Sequence, residues 1–399
     1  MIVRNPTAGE VERAIDVAAI AFPNLSHEQW TKSFTMVTEV FGTRSLLVVE
    51  DGGRIVSTLI SQPMPVHING ALVTHASVGG VATIPEARCR GCAGAMMAEC
   101  VRMLRKQGIY LSSLWPFSYE YYRKFGWEIG AEVRNYSAPA KVFAALGDAG
   151  RARDAVQGDI AQIRRAYEGW AQNYNCLTLR SDVWWDKVVA FQMQPFEAKH
   201  GMVVHITSGK IDGYAAYRIN DGEQESVSVL ELAFMQAEHR RDMLARLATV
   251  VPEGTVGFGA ARDDLFLQEI PNPRQISAGI APSFQFRVAD PPRALESLDV
   301  EDDVSGKITF SITDPVFKEG WEFGIDVGDG EVTLTKPDRG RRLEMDVMTF
   351  ARLYSGYLTP FDALELGRVN LKGDSMEMLL TACEVFSPLT PYRTPLEPG

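Results

Sequence analysis

The chain has 399 residues, of which 46% are hydrophobic and 23% charged, and 51 acidic against 40 basic residues give a formal net charge of −11. At ~150 residues per domain this length predicts two or three domains, and the apolar content excludes the disordered and fibrous classes. The acidic balance excludes a typical nucleic-acid binder, which needs a basic face. The sequence contains no run of ~18 apolar residues, so neither a membrane span nor a membrane partner is predicted.

Residues 1–135 alternate predicted helices and strands. Thr7 and Glu10 form a capping box, which predicts that the first helix begins there. The turns Asp51-Gly52-Gly53 and Asn69-Gly70 each connect two strands as a hairpin. Mixed helices and strands predict an α/β (α+β) fold. Beside the helix at Thr7, the pattern predicts helices at 27–40 and 91–107 and strands at 2–4, 45–50, 54–67, 71–83 and 110–115.

Two further segments follow, at residues 136–285 and 286–399. The second segment resembles the first in element order but lacks its glycine-rich turn. The last thirteen residues contain four prolines, so they predict no regular structure. The sequence therefore predicts three domains, at 1–135, 136–285 and 286–399. Their predicted helices are 159–170, one around 184–185, 235–251, 346–355, 360–366 and 376–385, and their predicted strands are 205–217, 227–234, 304–313 and 322–335.

The most informative stretch is SVGGVATIPEARCRGCA, at residues 77–93. A strand ends at Thr83, and Arg88-x-Arg90-Gly91-x-Ala93 then begins a strongly periodic helix. The first turn of a helix has free N–H groups and the positive end of the dipole, so arginines there are unfavourable unless an anion compensates them. Glycine permits close approach of a ligand to the backbone. The pattern favours a phosphate site, and the alternative is an ordinary basic helix start.

This pattern resembles the acetyl-CoA pyrophosphate loop of the GNAT superfamily of N-acetyltransferases. A second stretch, YRKFGW at residues 122–127, resembles a signature late in the same fold. With its length, the chain is similar to the Eis (enhanced intracellular survival) family. The resemblance implies two GNAT-like acetyltransferase domains, the second degenerate, followed by a sterol-carrier-protein-like domain. It also implies acetyl-CoA as cosubstrate and a homohexamer.

The resemblance further implies roles for individual residues. The strand at 81–83 would splay from its neighbour and bind the pantetheine arm, residues 89–94 would bind the pyrophosphate, and residues 117–118 would line the thiol end. The implied cofactor-binding residues are Val81, Ala82, Thr83, Arg88, Cys89, Arg90, Gly91, Cys92, Ala93, Gly94, Phe117 and Ser118.

Tyr122 and Gly399 are the implied catalytic residues. Tyr122 would protonate the departing thiolate, because a phenol with a pKa of about 10 can give a proton to a thiolate of about 8.5 at a modest cost. The alternative for Tyr122 is packing in an aromatic core. The terminal carboxylate, here on Gly399, would be the general base, with Glu397 or a water relay as alternatives.

Trp30, Phe34 and Phe41 follow helical spacing, with Phe22 just before them. These residues either form core or line the substrate pocket in the manner of the family, and Phe22, Trp30 and Phe34 are the predicted pocket residues. Cys89-x-x-Cys92 has metal-like spacing without a second pair, and the six histidines are scattered with no HxxxH pair. No metal site is therefore predicted.

The sequence predicts an acetyl-CoA-dependent N-acetyltransferase. Its acceptor would be a primary amine of a cationic, aminoglycoside-like small molecule or of a lysine or peptide. The alternative is a non-catalytic acetyl-CoA or lipid-binding carrier or sensor. Sparse cysteines and a charged N-terminal stretch predict a cytoplasmic location.

Overall fold

The computed structural model describes residues 1–190, 199–386 and 389–398. These residues form two compact units. The first contains residues 1–130, 284–386 and 398, and the second contains residues 131–283 and 389–397. Within the described residues, no helix combines the length and the apolar character that crossing a membrane requires.

The helices and strands are numbered in chain order. The helices are α1 Val11–Ala21, α2 His27–Phe41, α3 Cys92–Lys106, α4 Tyr119–Arg123, α5 Ala140–Ala144, α6 Ile160–Ala171, α7 Asp182–Trp184, α8 Ala237–Ala248, α9 Pro291–Leu295, α10 Val347–Ser355, α11 Pro360–Glu365 and α12 Met376–Val385. The strands are β1 Ile2–Arg4, β2 Leu46–Asp51, β3 Arg54–Pro63, β4 Val66–Ile68, β5 Ala71–Val73, β6 His75–Thr83, β7 Leu111–Leu114, β8 Glu128–Ile129, β9 Glu132–Pro139, β10 Ala152–Asp154, β11 His200–Thr207, β12 Lys210–Asn220, β13 Ser226–Phe234, β14 Thr255–Ala261, β15 Ser277–Pro282, β16 Gln285–Val288, β17 Gly306–Thr313, β18 Trp321–Gly328, β19 Glu331–Thr335, β20 Arg342–Asp346 and β21 Asn370–Lys372.

The first unit is built around a sheet of order β1-β2-β3-β6-β7-β16-β8. The predicted capping box is present, with Thr7 and Glu10 bonded to each other ahead of α1. Helix α3 buries the apolar stripe that its spacing predicts, including Met96, Met97 and Cys100. The helices thus cover a mixed sheet, and the predicted α/β character of this segment is confirmed.

A second sheet in the first unit has the order β19-β18-β17-β20-β21. Phe310 on β17 packs edge-on against Phe350 on α10, with ring centroids 5.7 Å apart, and against Phe386 after α12, at 6.2 Å. Phe310 and Phe350 are fully buried. Aromatic side chains therefore fill the space between this sheet and its helices.

The second unit repeats part of the first. Its sheet has the order β10-β11-β12-β13-β14-β9-β15, and the parallel strands β13 and β14 are connected through α8 as β6 and β7 are connected through α3. The predicted resemblance in element order is thus present. A parallel pair needs a crossover connection of this kind, so the helix between the strands follows from the topology.

The structure differs from the predicted elements in several places: strands such as β9, β14 and β16 were not predicted, and three predicted strands are divided. The predicted strand 205–217 is a hairpin of β11 and β12, turning at Ser208-Gly209 where both residues have positive φ. The predicted strands 54–67 and 71–83 are each interrupted, so β4 and β5 form a small separate hairpin. The sequence does mark two of these interruptions locally, with Ser208-Gly209 between β11 and β12 and with Pro63 at the end of β3 and Pro65 before β4. The predicted domain boundaries stay a prediction, and β16 joins the first unit's sheet.

Candidate active site

The turn between β6 and α3 depends on a left-handed glycine. Gly91, the N-cap of α3, has φ +83°, and Cys89 before it has φ +60°. A Cβ on Gly91 would meet no atom within 4 Å, so the backbone angle, and not space, selects glycine there. Two positive φ values within three residues turn the chain sharply and leave α3 to begin at Cys92.

The start of α3 is electrostatically positive and open. No acidic residue lies in its first turn and no side chain caps it among the described residues. Arg88 donates to the Thr83 carbonyl at 3.3 Å, and Arg90 donates to Asp51 Oδ2 at 2.6 Å while remaining 57% exposed. Sequence reasoning missed Asp51, which lies at the end of β2 and reaches the loop through the sheet order. This helix start can accept an anion.

The strand edge that leads to this loop lacks a neighbour on one side. β6 and β7 pair from His75 opposite Leu111 only to Val78 opposite Leu114. On its other side β6 stays paired with β3 as far as Thr83. Over residues 79–83, the described part of the chain therefore provides no strand partner on the β7 side, and backbone groups there can bond a ligand.

Tyr122 lies on α4 among other aromatic rings. The helix begins after Ser118, whose Oγ accepts the Tyr121 N–H at 3.2 Å. The Tyr122 ring lies 5.4 Å from Phe117 and 5.1 Å from Tyr121, between centroids. Burial, helped by the nearby Tyr121, raises the pKa of the Tyr122 phenol well above its usual value. Tyr122 is thus a buried, neutral phenol, while Phe117 is 74% exposed.

Gly126 fixes the turn behind Tyr122. The Trp127 N–H donates to the Tyr122 carbonyl at 3.3 Å. Gly126 has φ +87°, and a Cβ there would lie 1.7 Å from Nη1 of Arg287, which is buried and bonded to Asp314 at 2.7 Å. The sequence contains no sign of this contact, because Arg287 lies on β16, far along the chain.

Phe22, Trp30 and Phe34 form a row of rings from the surface to the core. Centroid distances are 5.4 Å from Phe22 to Trp30 and 6.0 Å from Trp30 to Phe34. Phe34 is fully buried and Trp30 nearly so, whereas Phe22 is 38% exposed. Gly80 on β6 lies under Trp30, where a Cβ would be 3.4 Å from its ring. The structure brings this row beside the open part of β6, and its role in substrate binding stays a prediction.

Of the two residues considered as the general base, Gly399 and Glu397, the structure describes only Glu397. Gly399 lies outside the described residues. Glu397 is fully buried in the second unit, where it accepts from Arg180 at 2.7 Å, from Tyr167 at 2.9 Å and from the Thr178 N–H at 3.0 Å. Burial alone would raise the pKa of Glu397, but the charges of Arg180 and Arg393 lower it overall. A carboxylate so fully engaged is a structural anchor and a poor base.

Family models match three parts of the chain. Two models described as "Acetyltransferase (GNAT) domain" match residues 2–130 and 176–288. A model described as "Sterol carrier protein domain" matches residues 291–394. The chain therefore contains two GNAT domains followed by a sterol-carrier-like domain, and the predicted order is confirmed.

Curated relatives and solved structures cover most of the chain. An "Uncharacterized N-acetyltransferase" of Streptomyces griseus is 25% identical over 347 residues, which are 80% of this chain and 81% of the relative. "N-acetyltransferase Eis" of Mycobacterium tuberculosis is 23% identical over 369 residues, or 89% and 90% of the two chains.

Among solved structures, a GCN5-related N-acetyltransferase from Anabaena variabilis superposes with a TM-score of 0.83 at 17% identity, covering 98% of each chain. Eis1 from Mycobacterium abscessus gives 0.77 at 20% identity, covering 98% of this chain and 99% of the other. These likenesses show that the fold is shared.

Proposed function

We propose that this chain, which is an Eis-like N-acetyltransferase of the GNAT superfamily, acetylates a primary amine of a cationic molecule. GNAT acetyltransferases use acetyl-CoA, which supplies the acetyl group as a thioester. The observation that carries the proposal is the continuous path from the unpaired edge of β6 to the uncapped start of α3. An extended amide-containing arm fits the strand edge, and a pyrophosphate fits the helix start.

Each part of this path has a proposed role. Backbone groups of Val81–Thr83 bond the pantetheine arm. The first-turn N–H groups of α3, with Arg88 and Arg90, hold the pyrophosphate through charge-assisted hydrogen bonds. Holding both substrates in place supplies much of the rate acceleration. The fit rests on the residues present, since Gly91 permits close approach and no acidic residue lies in the first turn of α3. Asp51 pairs with Arg90, so a bound pyrophosphate would compete with that carboxylate for the guanidinium.

Tyr122 is the proposed general acid. Like any phenol, Tyr122 carries its proton on Oη at neutral pH and can give it to the leaving thiolate. Because burial raises its pKa, this transfer costs more than it would from an exposed tyrosine. The proposed base is the terminal carboxylate of Gly399. Glu397 is a weaker candidate because its oxygens already accept from Arg180, Tyr167 and Thr178.

A cationic acceptor is favoured by acidic side chains on α1. Glu12 and Asp16 are exposed on α1, and His27 of α2 lies 3.0 Å from Asp16. Glu28 is a further exposed carboxylate, but it pairs with Lys32 at 2.8 Å and adds no net negative charge there. Glu12, Asp16 and the half-exposed Phe22 suit an amine-rich molecule with apolar faces, such as an aminoglycoside, and also a lysine or peptide amine. A homohexamer remains the proposed assembly.

The test is release of free thiol. Purified protein is mixed with acetyl-CoA and a panel of aminoglycosides, polyamines and lysine peptides, and thiol release is followed with a thiol-reactive dye. We expect Tyr122→Phe to lower kcat by about 10²- to 10⁴-fold, the usual contribution of a general acid. Tyr119→Phe, on the same helix, is the matched control and should retain activity.

The non-catalytic carrier makes the opposite prediction. If the wild-type protein binds CoA but releases no thiol with any amine in the panel, the enzyme is ruled out and the carrier gains support. If Tyr122→Phe keeps the wild-type rate, Tyr122 is not the acid.

The pH profile gives a further check on Tyr122. Its folded pKa lies above 10, the usual phenol value, so it stays protonated as the pH rises from 8 to 10. We therefore expect no loss of kcat from this group over that interval. A decline in kcat near pH 8 to 9 that disappears in Tyr122→Phe would contradict the assignment.

A further inference from the structure

Four polar side chains of the second unit, none of them in the proposed active site, face one another. They are His205 on β11, Asp212 on β12, and His239 and Asp242 on α8. We propose that His205, Asp212 and His239 bind a divalent transition-metal ion, and that Asp242 orients His205 from behind.

The fold gathers these residues for local reasons. β11 and β12 form a hairpin whose register shifts between His205 and Ile206, which brings His205 close to Asp212 after the turn. His239 and Asp242 are three residues apart on α8, so they share one face of the helix. His205, His239 and Asp242 are each at least nine-tenths buried, whereas the Asp212 side chain is 21% exposed and leaves the cluster a route to solvent.

The distances fit a shared cation. His205 Nδ1 lies 2.6 Å from Asp212 Oδ1, and His239 Nε2 lies 3.6 Å from Asp212 Oδ2. One ligand atom from each of the three residues falls within 4.8 Å of the others. In a tetrahedral site with bonds of about 2.0–2.2 Å, ligand atoms are about 3.3 Å apart, so small side-chain rotations suffice. The two imidazoles stack with centroids 4.4 Å apart.

Hydrogen bonding also points to a missing positive charge. His205 Nε2 faces Asp242 Oδ2 at 3.1 Å, and Asp242 Oδ1 is fixed by the Asp148 N–H at 2.7 Å. Each ring nitrogen of His205 thus lies beside a carboxylate oxygen, and a cation held by Nδ1 and Asp212 would offset the negative charge of the two carboxylates. A carboxylate behind a ligating histidine is the usual outer partner in metal sites.

His239 provides an independent sign. Its Nδ1 is buried without a hydrogen-bond partner among the described residues, and its Nε2 is too far from Asp212 for a hydrogen bond. The His239 imidazole therefore lies buried beside the Asp212 carboxylate, and neither of its ring nitrogens makes a hydrogen bond to that carboxylate. Of the charged groups nearby, Arg151 approaches Asp242 at 3.9 Å and also pairs with Glu238, so it does not neutralise Asp212.

Two imidazoles and one carboxylate select the class of ion. Imidazole suits Zn²⁺, Co²⁺, Ni²⁺ and Fe²⁺, whereas Mg²⁺ and Ca²⁺ prefer oxygen alone. Bound there, the ion would clamp the β11–β12 hairpin to the start of α8.

The experiment titrates the full chain, stripped with a chelator, with Zn²⁺ in a calorimeter and with Co²⁺ by visible absorption. We expect one ion per chain. Asp242→Asn should weaken affinity by about 10- to 100-fold, the usual effect of losing an outer carboxylate. His239→Gln should weaken it by at least that much. His67→Gln, in the β4–β5 hairpin, is the matched control and should bind as the wild type does.

Circular dichroism confirms that each variant is folded before titration. Absence of a stoichiometric ion in the wild type overturns the proposal and leaves the cluster as a network of direct hydrogen bonds between His205 and the two carboxylates. Wild-type affinity in both His205→Gln and His239→Gln also overturns it. A sulfur-to-cobalt charge-transfer band would do the same, because it would assign the ion to cysteines.

Discussion

Helices α3 and α8 each follow a strand of a parallel pair, but the charged residues at their N-terminal ends differ. At α3, the N-cap is a left-handed glycine, no acidic residue lies in the first turn, and Arg90 is exposed. At α8, the N-cap Gln236 is extended at φ −139°, and Glu238 lies in the first turn. Arg240 there is buried against Asp264 and Glu269. The repeated fold thus leaves the helix start free of first-turn acidic residues in one copy and neutralises a buried arginine with two carboxylates in the other.

The parallel strand pairs beside these helices both diverge, but the side chains that fill the space between the strands differ. β13 and β14 pair only as far as Val229 opposite Phe258, so they also diverge. In that space lie Trp170, Tyr174 and Tyr392, and the Tyr392 Oη donates to the Gly259 carbonyl at 2.9 Å. The divergence of two parallel strands is therefore a property of the topology, and whether it can hold a ligand depends on which side chains occupy it.

The largest expected effect is the loss of stability when Arg240, the buried arginine of α8, is replaced. Arg240→Met should destabilise the second unit by about 3–5 kcal/mol, because Asp264 and Glu269 would lose the buried cation that pairs them. Urea unfolding measures this loss, and KM for acetyl-CoA at a permissive temperature should not change. A raised KM with unchanged stability would mean that the second helix start also binds the cofactor.

A smaller effect is expected at the N-caps. Gly91→Ala places a Cβ at φ +83°, which costs about 1–2 kcal/mol or forces the loop to shift. We expect a raised KM for acetyl-CoA. Gln236→Ala is the matched change at α8, where the backbone is extended, and should leave KM unaltered. Equal effects of the two substitutions on KM would remove the distinction between the helix starts.

The smallest effect is expected for Arg90→Met. Its ion pair with Asp51 is exposed, so the free energy of unfolding should change by less than about 1 kcal/mol. KM for acetyl-CoA should rise by about three- to tenfold, because one charge-assisted contact to phosphate is lost and solvent screens the rest. Arg241→Met at α8 serves as the control and should leave KM as it is.

Local signals in the sequence were sufficient for most elements. The capping box at Thr7 and Glu10, the apolar stripe of α3 and the glycines after α2 and α3 predict helix bounds within a few residues of those observed. The hairpin of β11 and β12 was missed because the prediction followed the apolar residues on either side of Ser208-Gly209 and did not use this pair as a turn signal. His205 and His239 appeared unrelated in the sequence, since no short spacing connects residues that meet across a hairpin and a helix.

The sequence by itself determined the fold class and the order of the three domains, and it predicted a phosphate site at residues 88–93, because these depend on spacing along a strand or helix. Only the tertiary structure decided which charged side chains are buried in ion pairs and which stay exposed. The unpaired edge of β6, the packing of Arg287 against Gly126 and the neutralisation of Arg240 all join residues far apart in the chain. The −11 charge likewise reveals little about the loop, since binding depends on which charges remain exposed and unpaired.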